Sequence, residues 1–152
     1  MSREIKFRGK CQISGDLVFG DLIHGVGAKS KNVYILPNRI NLAVIKHCDP
    51  LDGVKVDPET VGQYTGLKDK NGVEIYEGDI VSAWSEGYNH KGEIRWRFEG
   101  QPSIIIYPAF SNQNFWKLHG ERGNGNAFSD NKTDDGVEII GNIYENPELL
   151  QP

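Results

Sequence analysis

Along most of this chain, apolar residues alternate with polar ones in short runs that turn-forming residues separate. Alternation with a period of two places the apolar side chains on one face of a β-strand. The runs predict strands near residues 5–11, 17–23, 33–36, 42–45, 60–64, 73–76, 80–84, 92–98, 104–107 and 137–144. No stretch shows the longer apolar period of an extended amphipathic helix. Near the end, Asn146 followed by Pro147 predicts a short helical turn, because Asn favours the cap and Pro the first helical position.

The strongest local signal is the pair Asn71 and Gly72, because both residues tolerate the positive φ that a tight hairpin demands. We therefore predict a β-hairpin within residues 68–80 that reverses at this pair. A second reversal is expected around Gly78. Three side chains of this region are predicted to be buried: Tyr64, Ile75 and Val81.

Composition favours a turn-rich β protein, since the 152 residues include 18 glycines that lie between short apolar runs. A chain of this length suits one domain with a real core. The order of a Gly-Asp turn, an apolar strand, a loop and a strand carrying Trp96 is similar to the early strands of small SH3-like barrels. We predict a mainly β chain in which antiparallel strands and hairpins form a small barrel. Within this single domain of residues 1–152 we expect a basic N-terminal β lobe at residues 1–57 and an acidic barrel-like body at residues 58–152.

Charge is unevenly distributed along the chain, whose formal net charge is −4. Residues 1–46 hold eight Lys or Arg against three Asp or Glu, a net charge of +5, and the remaining residues hold nine against eighteen, a net charge of −9. This distribution leaves three alternatives for the basic part. It packs on the acidic body of its own chain, it meets the acidic body of a second copy, or it contacts nucleic-acid phosphates. The sequence pI of about 5.6 argues against strong general affinity for nucleic acid.

Two sets of residues are candidate contact surfaces. Alternation along the first predicted strand gives a basic face formed by Arg3, Lys6, Arg8 and Lys10. A polar loop predicted at residues 85–91 holds the second set: Tyr88, His90 and Lys91. An aromatic ring beside basic side chains suits stacking on a base or contact with a peptide.

The sequence predicts no catalytic, metal-binding or cofactor-binding residues. Cys11 and Cys48 lack the CxxC or Cys/His spacing of metal and redox sites. Glu77 and Asp79 could form an acid–base pair, but we favour a role of Asp79 in its own turn. The enzymatic alternative is a small hydrolase that combines Asp79 with a histidine, either His90 or His119.

Three stretches together resemble a known family: REIKFRGK at residues 3–10, ETVGQYTGLKDKNG followed by EIYEGDIV at residues 59–81, and IIGNIYENPEL near the end. They are similar to the YopX-like family of phage and prophage proteins. The resemblance implies a mainly β protein encoded by phages or prophage-like elements, and one that self-associates. It implies no active site, so it assigns no catalytic residue to this chain.

We therefore expect a non-enzymatic interaction or assembly module that acts as a homo-oligomer in the cytoplasm of a bacterial host. The first alternative is an accessory protein that contacts nucleic acid through the basic N-terminal lobe, and the small hydrolase is the second. The sequence identifies no small-molecule substrate and no cofactor, and no apolar run has the length of a membrane-spanning helix. Residues 120–136, which are rich in Gly, Asn and Asp, are predicted to form an exposed, mobile loop.

Overall fold

The structure is a computed structural model. It describes residues 4–25, 30–37, 53–85, 88–97, 103–107, 116–117 and 137–151. The strands among these residues are β1 (Phe7–Lys10), β2 (Leu17–His24), β3 (Val33–Pro37), β4 (Val54–Val56), β5 (Gly62–Lys68), β6 (Glu74–Tyr76), β7 (Asp79–Ser85), β8 (Tyr88–Arg97), β9 (Ser103–Tyr107), β10 (Trp116–Lys117) and β11 (Glu138–Asn142). Two short 3₁₀ turns accompany them, Pro58–Thr60 and Pro147–Leu150.

The predicted class, a mainly β chain of antiparallel strands with a short C-terminal helical turn, is confirmed. In the described residues the strand pairs are antiparallel. The strand predicted at residues 42–45 and the loop predicted at residues 120–136 lie outside the described residues. The chain divides into two compact units, Met1–Tyr64 and Thr65–Pro152, and passes from one to the other within β5. The sub-lobes expected from charge, at residues 1–57 and 58–152, stay a prediction.

In the first unit the strands are adjacent in the order β4-β3-β2-β1-β5. Opposed pairs such as Gly9 with Val18, Leu22 with Ile35 and Ile35 with Val54 place one face of this sheet inward. We call it the inner face. Its buried core residues are Cys11, Val18, Val33, Ile35, Val54 and Val56.

The sheet of the first unit curls until the end of β1 meets β4. An isolated bridge joins Cys11 to Val56, and the Gln12 N–H donates to the Lys55 carbonyl at 3.1 Å. Gly9 permits the curl, because a Cβ at this position would lie 2.9 Å from Cγ2 of Val56. The contact is a single bridge and not a continuous ladder, so the described strands do not form the closed small barrel that we predicted.

The second unit contains a sheet with the order β10-β9-β8-β7-β11. Ile80 and Val81, which are neighbours on β7, are both fully buried, so this interior strand is covered on both of its faces. Among the residues that the structure describes in this unit, the other fully buried apolar ones are Ile75, Tyr76, Ile94 and Val137.

The predicted hairpin between β5 and β6 is confirmed. The Gly72 N–H donates to the Asp69 carbonyl at 2.9 Å, and the Asp69 N–H donates to the Val73 carbonyl at 2.7 Å. Gly72 has a φ of +81°, which completes a three-residue loop with glycine in the left-handed conformation. The three side chains predicted to be buried here, Tyr64, Ile75 and Val81, are at most 5% exposed.

Candidate functional site

The outer face of the first unit's sheet carries the candidate interaction surface. Along β2, Val18, Gly20 and Leu22 belong to the inner face, so Phe19 and Ile23 are on the outer face. Phe19 is 44% exposed and Ile23 is 39% exposed. Single apolar side chains in water are ordinary, but a contiguous group of them on one sheet face is typical of a surface that contacts a partner.

Neighbouring strands extend this apolar surface. Tyr34 on β3 is directly opposite Ile23, and Leu36 is opposite Asp21. Directly opposed residues of an antiparallel pair share a face, so Tyr34 and Leu36 lie on the outer face, where both are half-buried. We call these four apolar residues the outer patch: Phe19, Ile23, Tyr34 and Leu36.

Basic residues flank the outer patch on the same face. Lys55 on β4 is opposite Tyr34, and Lys10 on β1 is opposite Leu17. Both lysines are half-buried, as expected where aliphatic stems cover apolar surface and the ammonium groups reach water. Asp21, between Phe19 and Ile23 on β2, is an exposed acid on this face.

Of the predicted basic set, Arg8 and Lys10 lie on one face of β1 and Lys6 immediately precedes the strand, and these three differ in exposure. Arg8, opposite Phe19, is only 5% exposed. The Lys6 side chain is 13% exposed, its ammonium lies 3.4 Å from a carboxylate oxygen of Glu4, and it lies 4.8 Å from the ring centre of Tyr64. Arg3 lies outside the described residues. An interaction role for this set stays a prediction, and Lys10 is the member whose placement beside the outer patch suits it best.

The second predicted set lies in a strand and not in a loop. Tyr88, His90 and Lys91 belong to β8, which begins three residues after β7 ends and pairs with it from Ser85 opposite Tyr88. The polarity of this stretch suggested a loop, but the paired strands β7 and β8 extend further than their apolar residues indicate. Lys91 is exposed, and the side chains of Tyr88 and His90 lie outside the described part of the structure.

The carboxylate of Asp79 serves its own turn, as we favoured. Asp79 is 1% exposed, and its Oδ2 accepts a hydrogen bond from the Tyr76 N–H at 2.8 Å. Gly78, with a φ of +87°, completes the reversal. Within the described residues, no group of three or more His, Cys, Asp or Glu is arranged to hold a metal ion. His119 and the side chain of His90, the histidines of the hydrolase alternative, lie outside the description.

The Cys11 thiol is buried in the core of the first unit, at 4% exposure. Burial by itself raises the pKa of this thiol, but hydrogen bonds from the backbone and hydroxyl of Ser14 and from the backbone of Ile13 outweigh burial and lower the pKa below its ordinary value. Because the sulfur is enclosed, its principal role is packing against Val56 and its neighbours.

The family model described as YopX protein matches residues 6–151. The chain belongs to the YopX family. The family assignment made from the three sequence stretches is therefore confirmed. Among curated proteins, no match was found. Among solved structures, this YopX family member is similar to the crystal structure of protein EF1440 from Enterococcus faecalis, with 23% identity, a TM-score of 0.47, and coverage of 99% of this chain and 100% of that one. None of the helical turns that the structure describes in this family member could span a bilayer.

Two outer-face residues of this YopX family member were missed by sequence reasoning. Lys55 was missed because β4 has only three residues, too few to show a period, and follows the turn signals of Asp52 and Gly53. Ile23 was assigned to a strand, but alternation alone does not reveal that its side chain is left in water. The available signal was Gly20, because a glycine inside a strand marks a place where another backbone segment approaches closely. A Cβ on Gly20 would lie 1.9 Å from the carbonyl oxygen of Leu36.

Proposed function

We propose that this chain is a non-enzymatic assembly module that self-associates by placing its outer patch against a second copy. The observation that carries the proposal is the exposure of Phe19 and Ile23 on one face of β2, with Tyr34 and Leu36 beside them. As the resemblance implies, we place this module among phage or prophage proteins, and we expect it in the cytoplasm of a bacterial host.

Association through a face is favoured over strand addition, because the described edge of the first unit is occupied. β4 pairs with β3 on one side, and on the other its Lys55 carbonyl accepts from the Gln12 N–H. The adjoining Asp57 N–H donates to the Lys10 carbonyl at 2.9 Å. A strand whose backbone groups are already paired offers no template for an added strand.

The outer patch supplies a modest part of the affinity. Complete burial of a Phe or Ile side chain is worth about 1.5–3 kcal/mol. Scaling by the exposed fractions of 44% and 39% gives about 1.2–2.5 kcal/mol for Phe19 and Ile23 together. This amount changes a dissociation constant by roughly tenfold to seventyfold, so further contacts are needed for a stable assembly.

Opposite charges on the two units favour contact between copies. Residues 1–64 hold nine Lys or Arg against seven Asp or Glu, a net charge of +2, and residues 65–152 hold eight against fourteen, a net charge of −6. Attraction between the first unit of one copy and the second unit of another is a heterologous contact, which closes into a ring or continues as a stack.

Sedimentation velocity of the purified chain over a wide range of protein concentrations tests the proposal. We expect association in the wild type and its loss in the double variant Phe19→Asp with Ile23→Asp, because charged groups would have to be buried at the contact. Ile13→Asp is the matched control: Ile13 is 65% exposed in the same unit but lies in the turn between β1 and β2. Circular dichroism verifies that each variant keeps its fold.

Two results would contradict this proposal. If the wild type remains monomeric at all protein concentrations, the chain does not self-associate and the proposal is wrong. If the monomer instead binds a fluorescent single-stranded oligonucleotide, and Lys10→Glu with Lys55→Glu abolishes that binding, the accessory nucleic-acid role replaces it.

A further inference from the structure

The outer patch and its flanking lysines require a particular chemistry in their partner. Phe19 and Ile23 need apolar contact, and Lys10 and Lys55 need carboxylates at the margins of that contact. A complementary surface therefore combines exposed acidic side chains, which face the two lysines, with adjacent aliphatic ones.

The second unit contains one described segment with these properties. The structure describes eight acidic residues in that unit, and Glu145 and Glu148 are the most exposed of these eight. Among the others, Asp69 and Asp79 are buried, Glu93 is paired with Arg95 at 2.7 Å, and Glu138 is paired with Lys70 at 2.8 Å. No Lys or Arg follows Lys132 in the sequence.

Aliphatic side chains accompany these two carboxylates. We call residues 143–151 the acidic segment. Its apolar residues Ile143, Leu149 and Leu150 are half-buried, so each keeps part of its surface in water beside an exposed glutamate.

Hydrogen bonds hold the acidic segment in one shape. Asn142 is 6% exposed, and its Oδ1 accepts from the N–H groups of Tyr144 and Glu145, each at 3.0 Å. Its Nδ2 donates to Oε2 of Glu145 at 3.0 Å, which orients that carboxylate. The turn that follows is closed by the Leu149 N–H, which donates to the Asn146 carbonyl at 3.0 Å. A segment already ordered loses little conformational entropy when it binds.

Resting on the proposed function, we infer that the outer patch of one copy receives the acidic segment of a second copy. Leu149 and Leu150 contact Phe19 and Ile23, while Glu145 and Glu148 face the flanking lysines. The contact is head-to-tail, since each copy contributes its outer patch to one neighbour and its acidic segment to another.

A matched pair of single variants tests the role of the acidic segment. Glu148→Lys is expected to weaken association by roughly tenfold or more, because it places like charges together at the contact. Glu59→Lys is the control and should leave association unchanged. Glu59 is also exposed, also follows the Pro of a 3₁₀ turn, and carries the same charge change.

Mixing two defective variants tests the head-to-tail geometry. One carries Phe19→Asp with Ile23→Asp and keeps its acidic segment, and the other carries Glu145→Lys with Glu148→Lys and keeps its outer patch. Each alone should be a monomer of about 17.0 kDa, and the mixture should form a heterodimer of twice that mass, as measured by light scattering.

The outcomes separate this inference from the proposed function. If the patch variant is monomeric but Glu145→Lys with Glu148→Lys assembles like the wild type, the acidic segment is not the partner and self-association through the patch stands. If both variants are monomeric and their mixture forms no heterodimer, the outer patch does not receive the acidic segment of another copy and the inference is wrong. If the patch variant assembles like the wild type, both ideas are wrong.

Discussion

Gly72 shows how one residue type is required by backbone conformation alone. Its φ is +81°, and a Cβ added there would meet no atom within 4 Å. We expect Gly72→Val to lower the free energy of unfolding by about 1–3 kcal/mol, since a β-branched residue is strained in the left-handed region and no clash contributes. Chemical denaturation measures the change.

Gly72→Asn is the matched control for this prediction. Asn tolerates the left-handed region, so it should cost much less than Val at the same position. Equal stability of Gly72→Val and the wild type would mean that the loop adopts another conformation in solution.

The ion pair between Lys70 and Glu138 links a turn to a strand through charge. The hydrogen bond from Lys70, at 2.8 Å, and its positive charge lower the pKa of Glu138 below its ordinary value. Because the folded-state pKa is lowered, the stabilisation is present at neutral pH and is lost as the pH falls through the lowered pKa. It is small, since both side chains are more than 40% exposed to water.

Lys70→Met tests the cause of this shift. NMR titration should show that the pKa of Glu138 rises toward that of an ordinary glutamate. As the pH is lowered, the free energy of unfolding of the variant should then fall slightly less than that of the wild type. Lys68→Met is the control, since Lys68 is a nearby exposed lysine to which no part of the shift is attributed. The same rise in both variants would assign the shift to net charge and not to the pair.

At the scale of elements, Asp69 joins the β5–β6 hairpin to the edge strand β11. Its Oδ1 accepts from the N–H groups of Asn71 and Val73, each at 2.9 Å, and its Oδ2 accepts from the Ile139 N–H at 3.2 Å. The Lys70 N–H donates to the Val137 carbonyl at 2.9 Å. These bonds use backbone groups that an edge strand would otherwise offer to another chain.

Replacing Asp69 separates its two roles. Asp69→Ala should lower the free energy of unfolding by about 2–4 kcal/mol. The substitution removes the carboxylate of a residue that is only 7% exposed and leaves three N–H donors without their acceptor. Asp69→Asn should cost less, since its amide oxygen can keep the turn while its NH₂ group faces the Ile139 N–H. Hydrogen exchange should then accelerate at Ile139 and stay slow at Asn71 and Val73. Uniform acceleration at all three amides would show that the turn and the edge open as one unit.

Local patterns predict the hairpins and miss the contacts between distant elements. Asn71 and Gly72 fixed a turn because its chemistry is contained in neighbouring residues. No predicted strand covers β4, although Val54 and Val56 belong to the first unit's core, because the partners of this short strand are distant in sequence. The burial of Arg8 and the bond from Ile139 to Asp69 likewise depend on tertiary packing, which no period along the chain encodes.

At the scale of the whole molecule, the proposed contact combines exposed charges with a small apolar area, and salt distinguishes the two contributions. Screening lengths fall from about 10 Å at 0.1 M salt to about 3 Å at 1 M. We therefore expect sodium chloride to weaken assembly of the wild type. Glu148→Lys should lose most of this salt dependence, because one of its attractive pairs has become repulsive.

Sulfate should act differently from chloride at equal ionic strength. Both salts screen the ion pairs, but sulfate also strengthens apolar burial by being excluded from protein surface. Sedimentation velocity should therefore show tighter assembly in sodium sulfate than in sodium chloride. The difference should shrink in Phe19→Ala, which removes apolar area from the outer patch and adds no charge. If chloride leaves assembly unchanged while sulfate strengthens it, apolar contact alone drives association, and the opposite charges of the two units have no part in it.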